Sequence, residues 1–328
     1  MKAITYNSYG GPEVLQLTEI DKPKPRENEV LIKVHAASLN ALDWRMMRAS
    51  PFFIRFMQGL FKPTSGRVGA DVSGTVEAIG SNVTAFQPGD EVFGETLKNN
   101  HYGSCAEYIC AEEKYIARKP KGVSFEAAAA IPIAGITVYQ GLRDHGRIQP
   151  GQKVLINGAS GGVGTFAVQI AKAMDAEVTA VCSTGKIDMV RSLGADHVID
   201  YTKEDFTKTG QMYDLVFAAN GDRPVRDYLR IMNSKGTYAC AGGSMRQLFQ
   251  AMLLGPIITM GSGKMTCGVT SDMNSGDLES LAEMVVDGKV SPVIDRCYSL
   301  EDTKEAMMYL DEGHVMGKVV IELDVFQD

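Results

Sequence analysis

The chain has no pair of cysteines at metal-binding spacing, a single tryptophan and no apolar run long enough to cross a bilayer. Each shortage excludes something. Cys105, Cys110, Cys182, Cys240, Cys267 and Cys297 are scattered without a CxxC step, so they signal neither a zinc ribbon nor a disulfide framework. The opening "MKAITYNSYGGPEVLQ" lacks the apolar core of a secretory signal, and a reducing, cytoplasmic setting is expected. Positive charge is not in excess: 33 Lys and Arg stand against 40 Asp and Glu, interspersed, for a net −7. Nucleic acid and membrane are therefore not expected partners, and a small molecule is. No internal repeat or low-complexity segment appears. The 17 methionines read as adaptable core filler, or as pocket lining at most.

What is present is enough apolar residue, 45% of 328, to fill two cores. The pattern divides the chain in three. Residues 1–124 are β-rich, with short runs such as "EVLIKVHAASL", "DVSGTVEAIG", "DEVFGE" and "AEYICA" broken by Gly, Pro and Asn. Across 125–270, "KVLIN", "AEVTAVC", "HVID", "DLVFAA" and "GTYACAG" alternate with helical patterns, which predicts a doubly wound parallel sheet. Residues 271–328 hold two helical patterns, "DLESLAEMVVDGKV" and "LEDTKEAMMYLDEG", and a closing strand, "GKVVIEL".

The stretch 154–174, "VLINGASGGVGTFAVQIAKAM", is where a ligand is expected. Val154, Leu155 and Ile156 form a continuous apolar run, as a strand buried on both faces requires. Val163, Phe166, Ala167, Ile170, Ala171 and Met174 then recur at helical spacing. Between them lie Gly158, Gly161, Gly162 and Gly164, with Ser160 inside the loop. Glycines at 158, 161 and 164 make a variant of the dinucleotide fingerprint, delivering a pyrophosphate to unpaired N–H groups at a helix start. A tight turn with no ligand has the same local pattern.

The order of further motifs resembles a known family. "GGPEVLQL", "VGADVSGTVEAIGSNVTAFQPGDEVFG", "AAAAIPIAGITVYQGL", the glycine loop, "SLGADHVIDY" and "GHVMGKVVI" are similar to the medium-chain dehydrogenase/reductases, in their zinc-free, quinone-oxidoreductase-like branch. The resemblance covers the whole chain. It implies an α/β fold in which a Rossmann domain is inserted in a GroES-like, β-rich catalytic domain, with the cofactor cleft between them. It also implies homodimers joined by edge strands, for which "GPIITMGSGKMTCGVT" is the candidate.

Zinc-dependent relatives in that superfamily need a cysteine, a Gly-His-Glu step and a third ligand. Asn40 stands at the cysteine's place, Leu42 replaces the proton-relay hydroxyl, and the Gly-His-Glu step reads Gly69-Ala70-Asp71. No metal is expected. Without a Lewis acid, hydride delivery to a quinone or an α,β-unsaturated carbonyl is favoured over alcohol oxidation, because the arriving charge delocalises onto oxygen. A broader carbonyl or alcohol dehydrogenase and a non-catalytic NADPH-binding sensor or scaffold remain the alternatives.

NADPH is expected because the strand "AEVTAVC" ends in Ser183, Thr184, Gly185 and Lys186, with no acid to claim a ribose 2′-hydroxyl. Two hydroxyls and an ammonium suit a 2′-phosphate; Thr184 as a helix cap and Lys186 as a surface charge is the plainer reading. The resemblance places Tyr201 near the adenosine phosphate and Thr137 near the nicotinamide. Ala219, Asn220, Gly242, Gly243 and Ser244 follow strands whose carboxyl ends would meet the ribose, and Val163 belongs to the loop's first helical turn. Asn40 and Asp43 lie where the catalytic cleft begins; Asn40 would orient substrate or ribose, and Asp43 would do so or anchor its own loop. Asp71 reads as a partner for buried donors. Trp44 and "RMMRASPFFIRFMQGLFK" would wall an apolar pocket or simply pack, and His101 and Tyr102 are candidate proton donors.

Overall fold

A computed structural model describes residues 1–97 and 103–323. The chain forms two compact units: residues 1–133, 273–286 and 292–328 make the first, and 134–272 with 287–291 the second.

The first unit is β-rich. In chain order its strands are β1 (Lys2–Thr5), β2 (Gln16–Glu19), β3 (Glu29–Leu39), β4 (Asp71–Ile79), β5 (Glu91–Glu95), β6 (Tyr108–Glu112) and β7 (Ile116–Arg118). β1 and β2 form a separate hairpin. The long strand β3 pairs antiparallel with β4 and β6, then β4 with β5 and β5 with β7. Its core is the alternating inward set Val30, Ile32, Val34, Val72, Val76, Val92 and Ile109. Helix α1 (Ala41–Arg48) follows β3 directly, and α2 (Ile54–Gln58) lies within the Phe- and Met-rich segment. Helix α3 (Phe125–Ala129) packs on this sheet through Ala129 and Ala130, which cluster with Ala36 and Val320. That packing draws residues 125–133 into the first unit, so the units divide after residue 133 rather than after 124.

The second unit begins within α4 (Pro132–Gln140) and carries β8 (Lys153–Asn157), β9 (Glu177–Cys182), β10 (His197–Asp200), β11 (Tyr213–Ala218), β12 (Met232–Cys240) and β13 (Met265–Gly268). All pair in parallel, in the order β10-β9-β8-β11-β12-β13. The chain winds outward from β8 through β9 to β10, then returns to β11 on the other side. The ends of β8 and β11 thus flank a switch point, where α/β sheets take their ligands. Val154, Leu155 and Ile156 are fully buried, as a central parallel strand demands. Helix α5 (Gly162–Ala173) buries Gly164 through Ala171, more than the one-sided stripe its apolar spacing predicts. The expected edge strand is shorter than its sequence suggests: residues 255–259 are helical and strand begins at Met265. The chain then returns to the first unit, where β14 (Ile294–Ser299) and β15 (Lys318–Glu322) extend the sheet as β14-β15-β3. A doubly wound sheet inserted in a β-rich domain is the fold the resemblance implies.

Candidate active site

The glycine loop leaves β8 at the switch point. Gly158 has φ +81°, a left-handed conformation, and a Cβ there would lie 2.7 Å from Asn220 Cβ. A Cβ on Gly164 would lie 2.0 Å from Gly158 O, so this glycine lets α5 sit against the turn. Gly161 differs. It caps α5 with ordinary φ −85° and no side-chain hydrogen bond, and a Cβ on it would meet nothing nearer than Gly158 O at 4.0 Å. The fold does not need a glycine at 161. The space it leaves open lies before the first-turn N–H groups of Gly162 and Val163, a cradle that fits a dinucleotide's pyrophosphate. Ser160 is buried within the loop.

At the end of β9, Ser183 precedes a single turn of 3-10 helix, Thr184–Lys186. Here the structure brings in a carboxylate that the local sequence does not show. Asp200, last in β10, accepts from Thr184 Oγ1 at 2.5 Å and from Thr202 N and Oγ1 at 3.0 and 2.6 Å, with Lys203 Nζ 3.5 Å away. The hydroxyls, Thr184 first, hold its carboxyl down at about 2. Thr184, expected to meet the 2′-phosphate, thus donates its hydroxyl hydrogen bond to Asp200, with Ser183 at the start of the turn and Lys186 at its end. Tyr201 is exposed beside them, its N–H bonded to Cys182 O.

The neighbouring strand ends are tied by Asn157, whose Nδ2 donates to Asn220 O at 2.7 Å and Tyr228 Oη at 2.8 Å, while Ala219 N donates to Asn157 O. Gly242 follows β12 against Ala219, and Gly243 leads into Ser244. Ser244 Oγ caps the helix Met245–Phe249 by accepting from Gln247 N and donates to Asp222, while Ser244 N–H donates to Gly221 O and its carbonyl accepts from Leu248 N. Thr137 is half-buried on α4. A cavity of about 410 Å³ lined by Lys153, Glu177, His197 and Tyr213 opens at the amino ends of β8–β11, away from this loop.

The first unit holds a second polar cluster. Asn40 N donates to Asp43 Oδ2 at 2.7 Å and Gly69 N to Asp43 Oδ1 at 2.9 Å, so a fully buried Asp43 anchors the β3–α1 corner. Asp71, also fully buried, accepts from Ser38 Oγ (2.8 Å), Asn40 Nδ2 (2.9 Å), Lys318 Nζ (3.2 Å) and Ile133 N (2.9 Å). Lys318 Nζ also donates to Asn40 Oδ1 at 2.5 Å. Sequence reasoning missed Lys318; its signal is a lysine opening an otherwise apolar strand, "KVVI". An asparagine, an alanine and an aspartate saturated by four donors do not fit a catalytic zinc, and no group of three or more metal-binding side chains occurs among the described residues. In the segment after Trp44, Phe52, Phe53, Phe56 and Phe61 are exposed rather than packed. His101 and Tyr102 lie outside the described residues.

Comparison with known proteins agrees with both units. Residues 26–121 match the alcohol dehydrogenase GroES-like domain family, and 193–321 a family described as zinc-binding dehydrogenase. The chain is 36% identical to a 2-methylene-furan-3-one reductase of Solanum lycopersicum, over 98% of this chain and 79% of that one. It is 35% identical to an NADPH-dependent alkenal/one oxidoreductase, chloroplastic, of Arabidopsis thaliana, with the same coverage. Among solved structures, a quinone oxidoreductase from Coxiella burnetii superposes with TM-score 0.89 at 31% identity, over 99% of each chain. The chain belongs to the medium-chain dehydrogenase/reductase superfamily, in its quinone-oxidoreductase-like branch.

Proposed function

We propose that the chain is an NADPH-dependent reductase that passes hydride, without zinc, to a quinone or an α,β-unsaturated carbonyl. The observation that carries this reading is Gly161, a glycine the fold does not require, holding open the space before the α5 N-terminus. The names of the relatives, an NADPH-dependent alkenal/one oxidoreductase and a quinone oxidoreductase among them, support the cofactor and the acceptor class.

Bound NADPH supplies the hydride. The N–H groups of the first α5 turn, with the loop residues Gly158 to Gly164, hold the pyrophosphate. Ser183 and Lys186 hold the 2′-phosphate, Lys186 as a point charge, with Tyr201 beside them. Backbone groups of Ala219, Asn220, Gly242, Gly243 and Ser244 would meet the nicotinamide ribose, and Thr137 would face the ring. Asn40 Nδ2 donates to the acceptor's carbonyl oxygen, where negative charge collects as hydride arrives. Asp43 keeps Asn40 in place, and water supplies the completing proton.

The same reading has the chain working in the cytoplasm, where its six thiols suit a reducing compartment, as a homodimer joined at the β13 edge. Among the described residues no helix is long and apolar enough to cross a membrane. The test is purified protein with NADPH against a panel of quinones, enals, enones, saturated ketones and, with NADP⁺, alcohols. Turnover of the first three classes that survives a strong chelator is expected. Tight NADPH binding with no turnover would make it a binding protein, and chelator-sensitive alcohol oxidation with one zinc per chain would make it a metal-dependent dehydrogenase.

A further inference from the structure

We propose that Lys318 is a positioning residue that orients and polarises the Asn40 carboxamide toward the acceptor's carbonyl oxygen, an inference that rests on the reductase function proposed above. The strand register creates the arrangement. β15 runs antiparallel to β3, with Val319 opposite Leu39, and β3 antiparallel to β4, with Ser38 opposite Asp71. One step beyond the first of those pairs, Lys318 faces Asn40 at the end of the sheet. Three strand ends thus place a lysine, an asparagine and an aspartate side by side.

Stability gives no reason for this trio. Lys318 is 3% exposed and Asp71 0%, with Leu39, Val72, Val319 and Ile321 in the surrounding core. Removing both charges from water costs as much as their attraction returns, and apolar residues of similar volume commonly serve such a place as well or better. Together with the Asp43 backbone N–H, which also donates to the Asn40 side chain, the charges provide a fixed amide. Asn40 Oδ1 faces the Lys318 ammonium at 2.5 Å and Nδ2 faces the Asp71 carboxylate at 2.9 Å. A flipped amide would set NH₂ against the ammonium and oxygen against the carboxylate, so only one orientation survives. Nδ2 carries two protons, and the bond to Asp71 engages one. The other is the donor that meets the acceptor, and Asn40 sits at the margin of burial, 9% exposed. An ammonium on the amide oxygen draws electron density from nitrogen and strengthens that remaining N–H as a donor.

The test compares Lys318→Met, Asn40→Ala and the double variant in the full chain with NADPH and the acceptor the wild type reduces fastest. Each single change should lower kcat by ten- to hundredfold with the NADPH Kd unchanged, and the double should be no slower than the slower single, because Lys318 acts through Asn40. Lys318→Arg should recover part of the loss. Losses that multiply in the double, a Lys318→Met enzyme of undiminished kcat, or a loss traced to NADPH affinity would each overturn the proposal. Should Lys318→Met not fold, Lys318→Gln keeps a donor without the charge and takes its place. A second readout needs no turnover: the Asn40 side-chain NH₂ resonances, identified by their absence in Asn40→Asp, should shift and lose inequivalence in Lys318→Met. If the wild type reduces no acceptor, the reductase reading falls; unmoved Asn40 resonances, whatever the turnover, overturn the role of Lys318.

Discussion

At the scale of single residues, the glycines of one loop have separable jobs. Gly161→Val places a branched side chain in open space, at a φ any residue adopts, so the fold should tolerate it. The same side chain stands where pyrophosphate would approach. NADPH affinity should fall at least about a hundredfold, near 2.7 kcal/mol, with the melting temperature nearly unchanged. Gly164→Ala should do the reverse, since its Cβ would lie 2.0 Å from Gly158 O. Relief of that overlap costs about 1–3 kcal/mol and should lower the melting temperature. Fluorescence titration and a thermal melt on both variants check the pair, and equal NADPH affinity for Gly161→Val and wild type would reduce the loop to a structural turn. The spacing of these glycines was legible in the sequence, but their division of labour was not, because it depends on what lies opposite each one.

At the scale of elements, the turn after β9 shows where a one-dimensional reading stops. Along the chain no acid follows that strand until Asp188, yet the order β10-β9-β8 sets the end of β10 beside it and brings Asp200 to Thr184. Sheet order is a long-range property, and no local spacing reports it. The carboxylate is satisfied by its own neighbours, so a 2′-phosphate on Ser183 and Lys186 remains compatible with it. Lys186→Ala should weaken NADPH by about ten- to hundredfold, the worth of one charge-assisted contact, and leave NADH unchanged. Equal losses for the two cofactors would instead mark damage to the α5 side of the site. Asp200→Asn keeps the shape and removes a negative charge, so NADPH should bind about two- to fivefold tighter in low salt, with NADH unmoved. With its carboxyl depressed from 3.8 to about 2, Asp200 is charged at every ordinary assay pH. Its contribution to stability is present above about pH 4 and disappears as pH falls toward 2, so it should add no slope to cofactor preference between about pH 5 and 9.

At the scale of the whole molecule, the sequence announced the two architectures clearly. Short strand-like runs separated by helical patterns marked the parallel sheet, and short runs broken by Gly, Pro and Asn marked the β-rich unit. The polar cluster was half legible: Asn40 and Asp71 stand in recognisable motifs, whereas Lys318 lies 278 residues beyond Asn40 and reaches it only through the β15–β3 pairing. The edge was also half legible. Its apolar character was visible, but its division into a short helix, Gly255–Thr259, and a four-residue strand from Met265 was not. Among the described residues β13 pairs on one side only, and next to it Phe249, Met252, Ile257 and Met260 are exposed, Ile257 to 66% and Met260 to 82%. Exposed apolar groups beside an unpaired strand edge are what a twofold contact uses: the edge pairs with its copy and the helical residues close over the joint. The chain should therefore sediment at twice its 35.5 kDa mass at micromolar concentration. Ile257→Glu combined with Met260→Glu puts two charges on each side of the joint and should yield a folded monomer that still binds NADPH, since the glycine loop lies on other strands of the sheet. A wild type that stays monomeric up to about 100 μM, or a double variant that remains dimeric, would take the contact away from this edge.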